Sequence, residues 1–159
     1  MTKQIPLTQE QVALVDDWRY EELNQWGWQA LWDKKTQSFY AVRTERQGLL
    51  RKAIYLHRQI MSTPKGMLCD HINRNTLDNQ DHNLRNATYS QNNMNARVRS
   101  NNKLGEKCIH QRRNGYAVRI YKDHKCVFDK TFKTLGDAIL ARDVALQQFH
   151  GEYAQWGRS

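Results

Sequence analysis

The 159-residue sequence has no run approaching the roughly 18 apolar residues that a membrane-crossing helix requires. Nor does an apolar stretch of the signal-peptide kind follow Met1. Both absences point to a cytosolic protein without a membrane partner. Cysteine is scarce: Cys69, Cys108 and Cys126 are odd in number and form no C-x-x-C pair, which argues against a disulfide framework and a zinc knuckle and implies reduced thiols. Apolar residues make up only 39% and charged residues 26%, so small modules leaning on each other or on a partner fit better than one large core. Acidic charge is the minority sign. Twenty-five Lys and Arg against 16 Asp and Glu leave a net charge of +9, with a pI near 9.6. Lys and Arg against Asp and Glu number 9 and 7 in residues 1–63, 5 and 3 in 64–99, and 11 and 6 in 100–159. The balance implies an anionic partner without choosing among DNA, RNA and anionic lipid.

What the chain has in quantity is asparagine, concentrated in the stretch Cys69 to Asn95, CDHINRNTLDNQDHNLRNATYSQNNMN. Gly66-Met67-Leu68-Cys69 is short and apolar, Arg74 to Asn83 is dense in Asn and Asp, and Leu84 to Thr88 can extend again. The pattern predicts two strands closed by a polar loop. Thr88-Tyr89-Ser90-Gln91 has the form of a capping box, which predicts a helix carrying Asn92 in its second turn. An Asn-rich run is by itself a loop signature, because the side-chain amide mimics backbone hydrogen bonds. Asn92, Asn93 and Asn95 inside a predicted helix are different, since Asn is a poor helix former and needs another reason to be there.

With Asp70, His71, Asn83, Leu84, Arg85, Ala87, Thr88, Asn92 and Asn95 in this spacing, the stretch resembles the HNH endonucleases of phages and mobile elements, which have a ββα-metal fold. The third letter of that family name is often a histidine. Here Asn92 stands in its place, as in the intron-encoded nicking enzymes. The resemblance implies that His71 is the general base, that Asn83 orients its ring, and that Asp70 and Asn92 hold one divalent cation. The chemistry of these residue types agrees. A neutral His with a pKa near 6.5 can take a proton from water near neutral pH, and its Nδ1–H needs an acceptor such as the Asn83 amide oxygen. Asp70 and Asn92 supply hard oxygens that suit Mg²⁺ or Mn²⁺. His82 reads as a loop residue. His57, beside Arg58 on a mixed apolar element, reads as structural or phosphate-facing in preference to a second base.

Around this centre the expected fold class is α+β. Residues 1–63 form a small α+β module: the run Gln11 to Asp16 leads into a short helix at Trp18 to Leu23, strands follow at Trp28 to Trp32 and Phe39 to Arg43, and Ala53 to Met61 runs up to a break at Pro64. Residues 64–99 form the nuclease motif and 100–106 a basic linker. Residues 107–159 form a third module, with strands at Lys107 to Gln111, Tyr116 to Tyr121 and Lys125 to Phe132 and a helix capped by Thr134. Three strands and one helix resemble the DNA-binding domain of plant ethylene-response factors. Lys107-Cys108 stands where that family has Gly-Val, and Tyr116 where it has Trp.

In the central strand Tyr116, Val118 and Ile120 should face the helix, leaving Arg119 and Tyr121 outward, with Arg112 and Arg113 nearby, where a sheet can enter a major groove. Candidate DNA contacts are therefore Arg85, Asn95, Arg97, Arg99, Lys103, Arg112, Arg113, Arg119 and Tyr121. The expected activity is hydrolysis of double-stranded DNA by nicking or cutting, with one Mg²⁺ or Mn²⁺ per active site; the sequence leaves the oligomeric state open, a monomer included. A DNA-binding regulator that keeps the nuclease fold without turnover is the alternative. A structural zinc module is disfavoured, since paired Cys or His ligands are lacking. Cutting the chain after Asn102 is expected to spare the active-site residues.

Overall fold

A computed structural model of the chain describes residues 1–96, 98 and 101–154. The fold is α+β and divides into two compact units, Met1–Ala87 and Thr88–Ser159. Among the described residues no helix is long and apolar enough to cross a membrane.

The first unit begins with a hairpin that its sequence does not advertise, β1 (Thr2–Pro6) paired antiparallel with β2 (Val12–Asp16). A short helix α1 (Tyr20–Asn24) follows, then a sheet of order β3-β4-β5 built from Gln29–Asp33, Ser38–Gln47 and Leu50–Tyr55. Helix α2 (Leu56–Ile60) leads to a second hairpin, β6 (Leu68–His71) and β7 (Leu84–Ala87). One core serves all of these elements. Alternation along the strands turns Ile5, Ala13 and Val15 inward, the i, i+4 pair Leu56 and Ile60 adds one face of α2, and Leu84 joins from β7 with Cys69 packed against it. Fully burying each such Leu or Ile stabilises the fold by about 1.5–3 kcal/mol. The core thus runs across the expected module boundary at residue 63, and the β6–β7 hairpin belongs with the chain before it.

The polar loop between β6 and β7 is held by hydrogen bonds from its own side chains. Asn73 Oδ1 accepts from the Asn75 amide at 2.8 Å, Asn75 Oδ1 from the Leu77 amide at 3.2 Å, and Asp78 Oδ1 from the Gln80 amide at 3.4 Å. Strand β2 pins it from outside: the Leu14 amide donates to Leu77 O and the Asn79 amide donates to Leu14 O, both at 2.8 Å. Arg19 adds a two-pronged bond to Asp81, at 2.7 and 3.0 Å. A loop of this composition is a rigid platform when every turn is closed this way.

The second unit opens with α3 (Tyr89–Asn95), started by the expected capping box: Thr88 Oγ1 accepts from the Gln91 amide at 3.2 Å while Gln91 Oε1 accepts from the Thr88 amide at 2.8 Å. Its other end is closed from afar. Lys107 Nζ donates to Asn93 O, Met94 O and Ala96 O, three carbonyls at or just beyond the end of the helix. Strands β8 (Ile109–Arg112), β9 (Gly115–Lys122) and β10 (Lys125–Phe132) form an antiparallel sheet with β9 central. Helix α4 (Leu135–His150) covers one face, burying Ala138, Ala145 and Leu146 against Ile109, Val118 and Ile120. Arg142 is buried with Glu106, Nη1 to Oε2 at 3.1 Å.

Candidate functional site

Register fixes what the β6–β7 hairpin presents. Asp70 lies opposite Arg85 and His71 opposite Leu84, so alternation sends Asp70 and Arg85 to one face and Cys69 and His71 to the other. Cys69 packs on the core and its Sγ donates to the His57 carbonyl at 3.5 Å. Burial pushes its thiol up to about 11, away from reactive thiolate.

His71 enters a nest of buried rings. Its ring meets that of His57 edge to face, 5.0 Å between centroids and 68° between planes, and the Tyr40 ring stands 6.3 Å away. Tyr40 and Tyr55 flank His57 at 5.6 and 5.5 Å. Burial lowers the pKa of His71 from its ordinary 6.5, against upward pulls from the Asn79 amide and the carboxylates of Asp70 and Asp78. Burial thus favours the neutral imidazole and sets His71 below the unperturbed value the sequence suggests. His57 is pushed further, to about 3, first by burial and then by His71 and Arg58. Burial also raises the pKa of Tyr40 above its ordinary value.

The amide expected to orient His71 is engaged elsewhere. Asn83 was the expected partner of the His71 ring, but its Oδ1 accepts from the Asn73 amide at 2.9 Å and its Nδ2 donates to Asp78 O at 2.8 Å. Both ends close the loop, and its own carbonyl accepts from the Ile72 amide at 2.8 Å. Asn79 is the amide that acts on His71. It is fully buried, its Nδ2 donates to Leu77 O at 3.0 Å, and its Oδ1 has no hydrogen-bond partner among the described residues. Asn83 positions His71 through the backbone beside it. Asn79 is the site residue that the sequence reading missed, and His57, read there as structural or phosphate-facing, stands inside the ring nest. Only Leu56 and Ile60, whose apolar spacing sets His57 on the inner side of α2, gave a signal for it.

Arg85 is corrected too. It was expected to contact DNA, yet it is only 9% exposed, because register sets it across from Asp70; Nε and Nη2 reach Asp70 Oδ2 at 3.0 and 2.9 Å. Asn95, likewise expected at DNA, is buried with Met94 in the last turn of α3. Asn92 is half-buried on α3, its amide donating to Thr88 O at 2.9 Å. His82 is exposed in the short 3-10 turn Asp81–Asn83, as expected of a loop residue.

Among the described residues no three His, Cys, Asp or Glu side chains converge as a metal cage. On the hairpin, the Asp70 carboxylate is a hard donor of the kind Mg²⁺ or Mn²⁺ takes. The Arg85 guanidinium competes for Asp70 Oδ2.

In the second unit Lys103, Arg112, Arg113 and Tyr121 are exposed, while Arg97 and Arg99 lie outside the described residues. Arg119 faces outward and pairs across the strands with Asp129 at 2.8 Å. Ala117 is buried although alternation turns it outward, because it sits between His110 and Thr131 on the flanking strands of the sheet. No family model, curated protein or solved structure matches this chain.

Proposed function

We propose that this chain is a metal-dependent endonuclease of the HNH kind that hydrolyses phosphodiester bonds in double-stranded DNA. The observation that carries the reading is His71: a buried, neutral imidazole on a rigid hairpin, adjacent to Asp70 along the strand and packed among the rings of His57 and Tyr40 on its own side. A neutral imidazole can take the proton of an attacking water as the O–P bond forms, and His57 and Tyr40 keep bulk water from its other side. Asp70 is the hairpin residue that would hold Mg²⁺ or Mn²⁺, with Asn92 as the second oxygen that the HNH resemblance implies, and the cation would offset charge on the leaving oxygen. The cation charge would also loosen the Arg85 hold on Asp70.

The sheet β8-β9-β10, with Arg112, Arg113 and Tyr121 exposed on or beside its outer face, supports base reading in a major groove, as in the plant domain it resembles. A second reading, a DNA-binding protein without turnover, is favoured by the Asp70–Arg85 ion pair, which neutralises the carboxylate that a cation needs. Incubating supercoiled plasmid with the full chain, with and without Mg²⁺, separates the two. Metal-dependent relaxation or linearisation, lost in His71→Ala by roughly 10²–10⁴ in rate with DNA affinity unchanged, supports the nuclease. Binding without conversion supports the silent reading.

A further inference from the structure

Strand β3 pairs with β4 only from Ser38 to Val42, whereas β5 pairs with β4 from Val42 to Gln47. From Arg43 to the tip the sheet is thus a two-stranded ribbon, reaching roughly 17 Å past its third strand at the usual rise per residue. The ribbon buries little. Thr44, Arg46 and all of Gly48 to Ala53 are exposed. Its tip is apolar: Leu49 is 103% and Leu50 75% exposed. Arg46, Arg51 and Lys52 follow directly, and none has an ion pair among the described residues. The turn is built by Gly48 at φ 60°, with open space where a Cβ would stand.

A lone two-stranded ribbon is marginal in water, and two adjacent leucines at its tip have no interior to enter. Three cations without ion pairs among the described residues, beside an apolar point, complement a polyanion whose stacked bases have apolar faces. We propose that the β4–β5 ribbon enters the minor groove of duplex DNA, where Leu49 and Leu50 wedge open a base step while Arg46, Arg51 and Lys52 rest on the flanking phosphates. The wedge deepens the nuclease reading, because it rests on DNA being the partner and gives residues 1–63 a task. Pyrimidine–purine steps, the easiest to unstack, are the preferred places.

The test uses the full chain in EDTA, so that no strand is cut, with short duplexes carrying 2-aminopurine at a TA or CA step. Wild-type protein at saturation should raise the 2-aminopurine fluorescence. The double variant Leu49→Ser/Leu50→Ser should abolish the rise and weaken binding by about tenfold or more. Arg46→Ala/Arg51→Ala/Lys52→Ala should keep the rise at saturation and flatten the slope of log affinity against log salt, by up to roughly 0.9 for each phosphate contact removed. These residues carry no part of the core, and a thermal melt checks that the variants fold. A fluorescence rise unchanged in the leucine variant, or no rise at saturation, overturns the wedge. So does a leucine variant whose loss appears on phosphatidylserine vesicles or in self-association by sedimentation while DNA binding is untouched. Mg²⁺-dependent cleavage with no fluorescence change sinks the wedge alone, and a leucine-dependent rise without any cleavage in Mg²⁺ sinks the nuclease reading alone.

Discussion

His57 and His71 meet edge to face with 5.0 Å between ring centroids, both buried, and Nδ1 of His57 has no hydrogen-bond partner among the described residues. A buried, unsatisfied ring nitrogen costs about 1–3 kcal/mol, so His57 keeps its place at the expense of stability.

The pH dependence of folding should carry its signature. The folded pKa of about 3 lies below the unfolded value near 6.5, so between the two the unfolded chain binds more protons. The stability due to neutral His57 is complete above pH 6.5 and is lost as pH falls, at up to about 1.4 kcal/mol per pH unit. His57→Phe removes that proton. Urea unfolding at pH 7 and pH 5 should give a smaller drop for the variant than for the wild type; equal drops would mean that His57 is protonated in the folded chain.

Arg85→Met should unfold the first unit more readily, by about 3–5 kcal/mol, because it strands the buried carboxylate of Asp70. Asp70→Asn/Arg85→Met should recover much of the loss. Urea melts of the three proteins decide it. A single variant that is stable but binds DNA weakly would return Arg85 to the phosphate.

Gly115→Ala should be among the costliest single changes in the second unit. Gly115 has φ 136°, and a Cβ there would collide with the carbonyl of Phe132. Strain and collision together should cost about 2 kcal/mol or more, seen as a lower melting temperature of the full-length variant than of the wild type. An unshifted melt would show that the β8–β9 turn can rearrange.

Thr88→Ala breaks the capping box of α3 and should cost about 1 kcal/mol, with the first-turn amides of α3 losing protection from hydrogen exchange before those of α4. Unchanged protection would assign the start of α3 to its packing instead of its cap.

Legibility followed local chemistry. Strands β6 and β7 and the start of α3 could be read because the apolar runs, the polar loop and Thr88 with Gln91 each act within a few residues. The β1–β2 hairpin could not, since its turn puts Gln9 and Glu10 at φ 59° and 56°, a task usually advertised by Gly or Asn. Strand β5 escaped notice because Leu50 to Ala53 is exposed and so shows no inward alternation. At the site, Asn79 and Asn83 are the same residue type on one loop, and only the pinning of that loop by Leu14 decides which amide acts on the ring. The Asp70–Arg85 pair is a matter of register, which a motif match does not contain.

The three carbonyls gathered by Lys107 bear on where this chain can be recombined. A helix of seven residues does not hold itself together in water, and here its last turn is closed by a lysine eleven to fourteen positions further on. A chain ended after Asn102, a cut that the sequence alone suggests would spare the active-site residues, discards that lysine and unravels the helix bearing Asn92. Swapping the tail for that of another protein would therefore fail in the basic linker, although that linker looks like the natural seam.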